Sequence, residues 1–316
     1  TSAAFERSFA IKADGTLWAW GANSSGQLGD GTYINKSTPM QIGTSSNWVS
    51  LSSKINHTLA LQRDGTLWAW GANSSGQLGD GTTANKIIPT QIGVANTWYL
   101  ISTGHDHSTA IQLDHTLWAW GNNSDGQLGN GGNINSITPI QVGSQATWRE
   151  VSCGYKFTVA LQTDGTKWAW GDNYFGQYGD GSNTSSSAPM HIGIANTWSH
   201  LAAGQQHVVA LQYDGSIWSN GLNSFNQLGN GNSTNQLSPQ QIYSCCVNLT
   251  PASILVSNSI LCIGGTTTLS VASGSLNNAA SWTWYTNVCG GIPIGIGNSI
   301  NVSPTATTTY SVRGEG

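Results

Sequence analysis

The chain has 316 residues, among them 40 glycines and 15 tryptophans, yet only 8% are charged and the formal net charge is −4. Average soluble proteins carry roughly 25% charged residues, so this composition excludes a charged disordered chain and a coiled coil. No run approaches ~20 consecutive apolar residues, and the Lys and Arg residues are scattered singly, which excludes a membrane-spanning helix and a phosphate-binding basic stripe.

From about residue 2 to 243 the chain repeats every 50 residues. Trp18, Trp68, Trp118, Trp168 and Trp218 keep that step, as do Gln27, Gln77, Gln127, Gln177 and Gln227, and Pro39, Pro89, Pro139, Pro189 and Pro239. Residues 14–32 and 64–82 are identical. Within the third copy, 98–102, 108–113, 116–121 and 139–143 are short apolar or alternating runs separated by Gly, Asn and Asp, a pattern that predicts four strands. The pairs Asp14-Gly15, Asp64-Gly65, Asp164-Gly165 and Asp214-Gly215 predict tight type I′ hairpins between the second and third strands. Asp114-His115 departs from the rule, and a positive φ at His115 costs on the order of 1 kcal/mol. Four strands per ~50 residues, repeated, predict an all-β protein built as a β-propeller of four-stranded blades, with five blades in this chain. Both faces of such a blade are covered, so Trp118 and Trp120 are expected buried on one side and Leu117 and Ala119 on the other.

The string W-x-x-[IV]-S-x-G-x-x-H-[ST]-x-A-[LI]-x-x-D-G-x-L-W-x-W-G-x-N-x-x-G-Q-L-G-[DN]-G resembles the regulator of chromosome condensation repeat. Residues 148–181 follow it with departures at Phe157, Lys167 and Tyr178. The resemblance covers all five copies and implies four-stranded blades, most often seven to a ring. On that basis the natural protein is expected to extend upstream of Thr1. Among relatives, a chromatin-bound exchange factor implies nucleic-acid contacts, but residues 1–243 hold nine Lys and Arg against thirteen Asp and Glu. A plant ultraviolet-B photoreceptor carries Trp-Arg before the repeated His, where this chain has Phe5-Glu6, Ile55-Asn56, His105-Asp106, Tyr155-Lys156 and Gln205-Gln206. A secreted bacterial inhibitor with this repeat acts purely by binding another protein, which is the nearest analogy in class.

After Tyr243 the period stops. Residues 244–252 read as a linker, and 253–316 as an incomplete immunoglobulin-like β-sandwich with strands expected at 266–271, 281–285, 299–302 and 307–312. The segment resembles modules of large secreted bacterial proteins, and its last strand is expected beyond Gly316. Four of the five cysteines (Cys245, Cys246, Cys262, Cys289) fall after residue 244 and point to an oxidising compartment. Cys245 and Cys246 are expected not to bond each other, because a vicinal bridge is strained. Cys153 is expected to be a buried free thiol.

The chain shows no unique catalytic constellation. The repeated Asp residues fit turn chemistry, and there is no G-x-S-x-G elbow or phosphate-binding loop. His57, His107 and His207 occupy one repeat station, which favours a tie within the scaffold over catalysis or metal binding. His105-Asp106-His107 places two imidazoles two residues apart, but no third metal ligand accompanies them. The expectation is therefore a non-enzyme without metal or cofactor. Specificity in a repeat scaffold belongs at positions that escape the repeat. Two sets qualify, the pair before the repeated His and the pair inside N-x-x-G-Q. They nominate His105, Asp106, Tyr155, Lys156, Tyr174, Phe175 and Phe225 as a binding site, with the aromatics forming an exposed patch. The expected role is a secreted or cell-surface protein that docks a protein partner on one propeller face. The alternative is a carbohydrate-binding module of an adhesin or larger secreted enzyme; nucleic acid and membrane insertion are not expected.

Overall fold

The computed structural model describes residues 2–243, 254–256, 266–272, 281–286, 293–304, 308 and 310–315. Every helix or strand assigned among them is a strand. The first repeat folds as β1 (Ser2–Ala4), β2 (Arg7–Ile11), β3 (Leu17–Gly21) and β4 (Lys36–Gln41). The second holds β5 (Trp48–Ser53), β6 (His57–Gln62), β7 (Leu67–Gly71) and β8 (Lys86–Gln91). In the third are β9 (Trp98–Thr103), β10 (His107–Gln112), β11 (Leu117–Gly121) and β12 (Ser136–Gln141). The fourth contains β13 (Trp148–Cys153), β14 (Phe157–Gln162), β15 (Lys167–Gly171) and β16 (Ser186–His191). The fifth contains β17 (Trp198–Ala203), β18 (His207–Gln212), β19 (Ile217–Gly221) and β20 (Gln236–Tyr243).

Each repeat forms one four-stranded sheet with its strands in sequence order. First strands of successive repeats lie side by side, β1 by β5, β5 by β9, β9 by β13 and β13 by β17, as blades do around a common axis. Sheets stacked this way are covered on both faces. Leu117 and Ala119 are fully buried on one face of β11 and Trp120 on the other. Trp118 is only half-buried; its Nε1 donates to Thr116 Oγ1 at 3.0 Å, and its ring meets Trp98 edge-on at 6.0 Å. The same Trp–Thr bond recurs at Trp18, Trp68 and Trp168.

One repeated hydrogen bond ties blade to blade. Trp70 Nε1 donates to Gln27 O (3.0 Å), Trp120 to Gln77 O (2.9 Å) and Trp170 to Gln127 O (2.9 Å). A buried indole N–H needs such a partner, which explains why the Trp and the Gln keep step along the sequence. In the fifth blade Asn220 stands at the Trp station and donates its amide to Gln177 O at 2.8 Å.

Two expectations are corrected. The hairpins between second and third strands are three-residue loops. Gly15 N bonds Lys12 O and Lys12 N bonds Thr16 O, so a turn over Lys12–Gly15 is closed by a glycine at φ 80°. Asp14 keeps a negative φ because its carboxylate accepts from Thr16 N and Oγ1, and only the glycine is left-handed. His115 does adopt a positive φ, 64°, at the glycine station. The outer strand of the third blade runs Ser136–Gln141 instead of 139–143. Pro139 sits inside it because this is an edge strand, where a missing N–H costs no ladder bond.

By packing, the chain divides into Thr1–Ala210 with Trp218–Gln240, and Leu211–Ile217 with Gln241–Gly316. In the C-terminal segment β21 (Ile254–Val256), β22 (Thr267–Val271), β23 (Ser281–Thr286), β24 (Pro293–Ile296), β25 (Ser299–Val302) and β26 (Tyr310–Glu315) form two three-stranded sheets, β21-β22-β25 and β24-β23-β26. Leu269, Trp284 and Val302 are buried at their shared core. The strand expected at 307–312 lies at Tyr310–Glu315, and β21 and β24 had no counterpart in the sequence reading. Cys245, Cys246, Cys262 and Cys289, and with them the bridge expectations, lie outside the described residues. Cys153 is a buried free thiol whose Sγ lies 3.2 Å from Thr109 Oγ1; burial pushes its pKa up.

Candidate docking face

Two kinds of loop share one end of the blades: the turns joining first to second strands and the long loops joining third to fourth. A backbone bond fastens them together in each copy, for example Asp172 N to Lys156 O at 2.9 Å. The long loop is held from within by its repeated Asn. Asn173 Oδ1 accepts from Tyr178 N, while its amide donates to Asp180 Oδ1, Ser182 O and Thr184 O. Gln177 Oε1 accepts from Phe175 N at 2.9 Å. Asn and Gln are thereby committed to scaffold, as are Asp30 and Asp80, which bond Asn23 and Asn73 and pair with Lys36 and Lys86. The two residues between Asn and Gly are released from these duties and free to vary.

The structure brings His105, Asp106, Tyr155 and Lys156 together. With Asn122, Ser124 and Gln127 they line a cavity of about 120 Å³ where the third and fourth blades meet. His105 Nδ1 lies 2.5 Å from Asp106 Oδ2; a carboxylate only accepts, so Nδ1 carries the proton. Gln77 Nε2 donates to the other Asp106 oxygen at 3.2 Å. Burial raises the Asp106 carboxyl, but the His105 hydrogen bond and the surrounding imidazoles outweigh it and hold the pKa below the usual range. Tyr155 leans on the His105 ring, centroid to centroid 4.2 Å. Lys156 Nζ pairs with Asp125 Oδ2 at 3.1 Å, a bond that raises its pKa.

The aromatic residues do not form the single patch expected. Tyr155 is half-buried against His105 instead of facing Tyr174. Tyr174 and Phe175 form an edge-on pair at 4.9 Å, with Tyr174 69% exposed and Phe175 half-buried. Phe225 occupies the equivalent loop of the next blade, 83% exposed, and no ring contact joins it to that pair among the described residues. All three loops nevertheless open on the same end of the blades.

His107 does not join His105. It is fully buried, and its Nε2 lies 3.1 Å from Thr158 Oγ1 of the next blade. Among the described residues no group of three or more His, Cys, Asp or Glu is placed to hold a metal.

Lys54 was missed by the sequence reading. It stands where the third, fourth and fifth blades have Gly104, Gly154 and Gly204, and its Nζ donates to the carbonyls of Cys153, Ala203 (2.8 Å) and Gly204 (3.1 Å). Burial lowers its pKa to about 8. Lining up the five copies residue by residue would have found it, as a lysine in a glycine column.

A sequence-family model described as an RCC1-like domain matches residues 1–291. No curated protein matches the chain. Among solved structures, human WBSCR16 is similar at TM-score 0.68 and 22% identity, over 79% of this chain and 67% of that one. Prp20p from Saccharomyces cerevisiae gives 0.68 and 22%, over 79% and 63%. Yeast RCC1 (Prp20) with Kap60 bound gives 0.66 and 21%, over 79% and 61%. At these identities the likeness is one of fold. This chain spans about three fifths to two thirds of the length of those proteins.

Proposed function

The chain belongs to the RCC1-like domain family, and from that premise we propose that it is a non-catalytic docking protein whose loop face, built on blades three to five, binds a protein partner. The observation that carries this reading is the cavity formed by His105, Asp106, Tyr155 and Lys156, with the exposed rings of Tyr174 and Phe225 on the loops that follow. Exposed aromatics beside a polar pocket are the usual composition of a binding hot spot. Support from relatives lies in Prp20, a structure of which has Kap60 bound and which has binding properties to Gsp1p and histones. Histone or nucleic-acid binding is not carried over, since the repeats hold more acidic than basic residues.

We place the protein outside the cell or on its surface, with the C-terminal segment as an immunoglobulin-like module of a larger bacterial protein. Low charge content and the cysteines after residue 244 support that placement. Capture of surface proteins on the immobilised chain tests the docking role. A partner retained by the wild type and lost with Tyr174→Ala and Phe225→Ala supports it. Retention of a glycan instead, lost with the same substitutions, favours the carbohydrate alternative, for which Tyr174 would be the stacking platform.

A further inference from the structure

The opposite end of the blades carries the hairpins between second and third strands and the loops that lead to the next blade. Two stations there escape the repeat. One follows the first Trp of each blade and reads Val49, Tyr99, Arg149, Ser199; the other precedes the hairpin Asp and reads Ala13, Arg63, Leu113, Thr163, Tyr213. Only between the second and third blades do they place three exposed apolar side chains on one cleft: Val49 at 49%, Tyr99 at 56% and Leu113 at 64%. Buried Leu61 and Trp98 also line it, and the cavity measures about 290 Å³. That is just below the range of small-molecule pockets, about 300–1,000 Å³, and suits one large side chain.

Arg63 stands on the rim of this cleft, exposed, and among the described residues its guanidinium makes no ion pair or hydrogen bond. Its neighbour Asp64 is engaged by Thr66 N and Oγ1. Other arginines in the repeats are committed: Arg7 to Ser53 Oγ and the His57 carbonyl, Arg149 to the carbonyls of Trp198 and Ser199. An apolar cleft beside an unpaired guanidinium asks for an apolar group carrying a carboxylate.

We propose that this cleft is a second docking site, for a partner protein segment in which a bulky apolar side chain adjoins a carboxylate. The side chain enters between Val49, Tyr99 and Leu113, and the carboxylate meets Arg63 bidentately. The site is independent of the loop face and survives the failure of that reading.

The probe is a displayed library of short random peptides panned on the full chain. The wild type is expected to enrich sequences with Phe, Trp or Leu beside Asp or Glu. Leu113→Ser weakens those peptides about tenfold or more, whereas Tyr174→Ala leaves them unchanged. Arg63→Glu shifts the enriched neighbour from acidic to basic. All three side chains are exposed, and an unaltered melting temperature certifies the fold of each variant. Enrichment without an acidic neighbour, or peptides that bind Leu113→Ser as well as wild type, overturns the proposal. So does self-association in sedimentation that Leu113→Ser abolishes, which would make a second copy the occupant.

Discussion

Single residues show how the repeat was adapted without losing its ties. His57 Nε2 lies 2.9 Å from Ser108 Oγ, whose hydroxyl donates to Gln77 O at 2.8 Å. The hydroxyl proton is thus spent, so the imidazole must donate from Nε2. His107, Thr158 and Gln127 repeat the arrangement. Between the fourth and fifth blades the apolar pair Phe157 and Val208 takes both stations at once. Burial drives the His57 and His107 pKa values down to about 3. An unfolded chain binds protons at these histidines below about pH 6.5, while the folded chain does so only near pH 3. Their contribution is therefore full above pH 6.5 and is lost as the pH falls toward 3. At about pH 4.5 each histidine should cost roughly 2–3 kcal/mol. The double change His107→Phe and Thr158→Val, which copies the native Phe157–Val208 pair, should leave the melting temperature near neutrality almost unchanged and reduce its fall on acidification. Thermal melts at both pH values decide this, and an unreduced acid loss would contradict it.

Between blades, close approach governs what the sequence tolerates. Gly76 has φ 79°, and a Cβ there would lie 2.7 Å from Ile137 Cα of the following blade. Gly26, Gly126 and Gly176 meet Ile87, Ser187 and Leu237 in the same way. The fifth copy replaces this glycine by Asn226, which keeps φ 59°. Gly76→Asn should destabilise by about 2–4 kcal/mol, and Asn226→Gly by less than about 1 kcal/mol in either direction. Urea unfolding midpoints measure both, and equal effects would remove the packing explanation. The fourth interface is repacked in a different way. Lys167 replaces leucine and is fully buried, its Nζ 3.4 Å from Asn220 Oδ1, while Asn220 replaces tryptophan. Desolvation lowers the Lys167 pKa to about 8. Tyr178, also at a leucine station, is buried with its hydroxyl bonded to Gly171 O. Larger residues on the fourth blade face smaller ones on the fifth, so volume is conserved across the pair.

For the molecule as a whole, the 50-residue period made the blades legible, because each repeated Trp, Gln and Gly answers a contact made in every blade. Comparing copies also singled out His105, Asp106, Tyr155 and Lys156 as positions that escape the repeat, but not the cavity they line. It did not reveal the cleft of Val49, Tyr99 and Leu113, because those residues lie on different strands and meet only once two blades are stacked. The outer strands were misplaced since an exposed edge carries little periodic signal. Stacking also sets where stability resides. Trp70, Trp120 and Trp170 are wholly buried, with Gly29, Gly79 and Gly129 against them, whereas Trp20 is half-buried and nothing lies within 4 Å of a Cβ built on Gly229. In a nearest-neighbour array, blades covered on both sides open last. Backbone amides of β10 and β11 should therefore exchange with solvent most slowly, and those of β2 and β3 early. Lys54 modifies this order, because its ammonium joins the second blade to carbonyls at the ends of β13 and β17. Lys54→Met leaves those carbonyls unpaired, at a cost on the order of 2 kcal/mol. Its effect on exchange should concentrate in β13 and β17 while β10 and β11 stay protected. A single exchange rate shared by all five blades, or a Lys54→Met effect spread evenly over them, would show that the blades open as one unit and that the lysine ties nothing in particular.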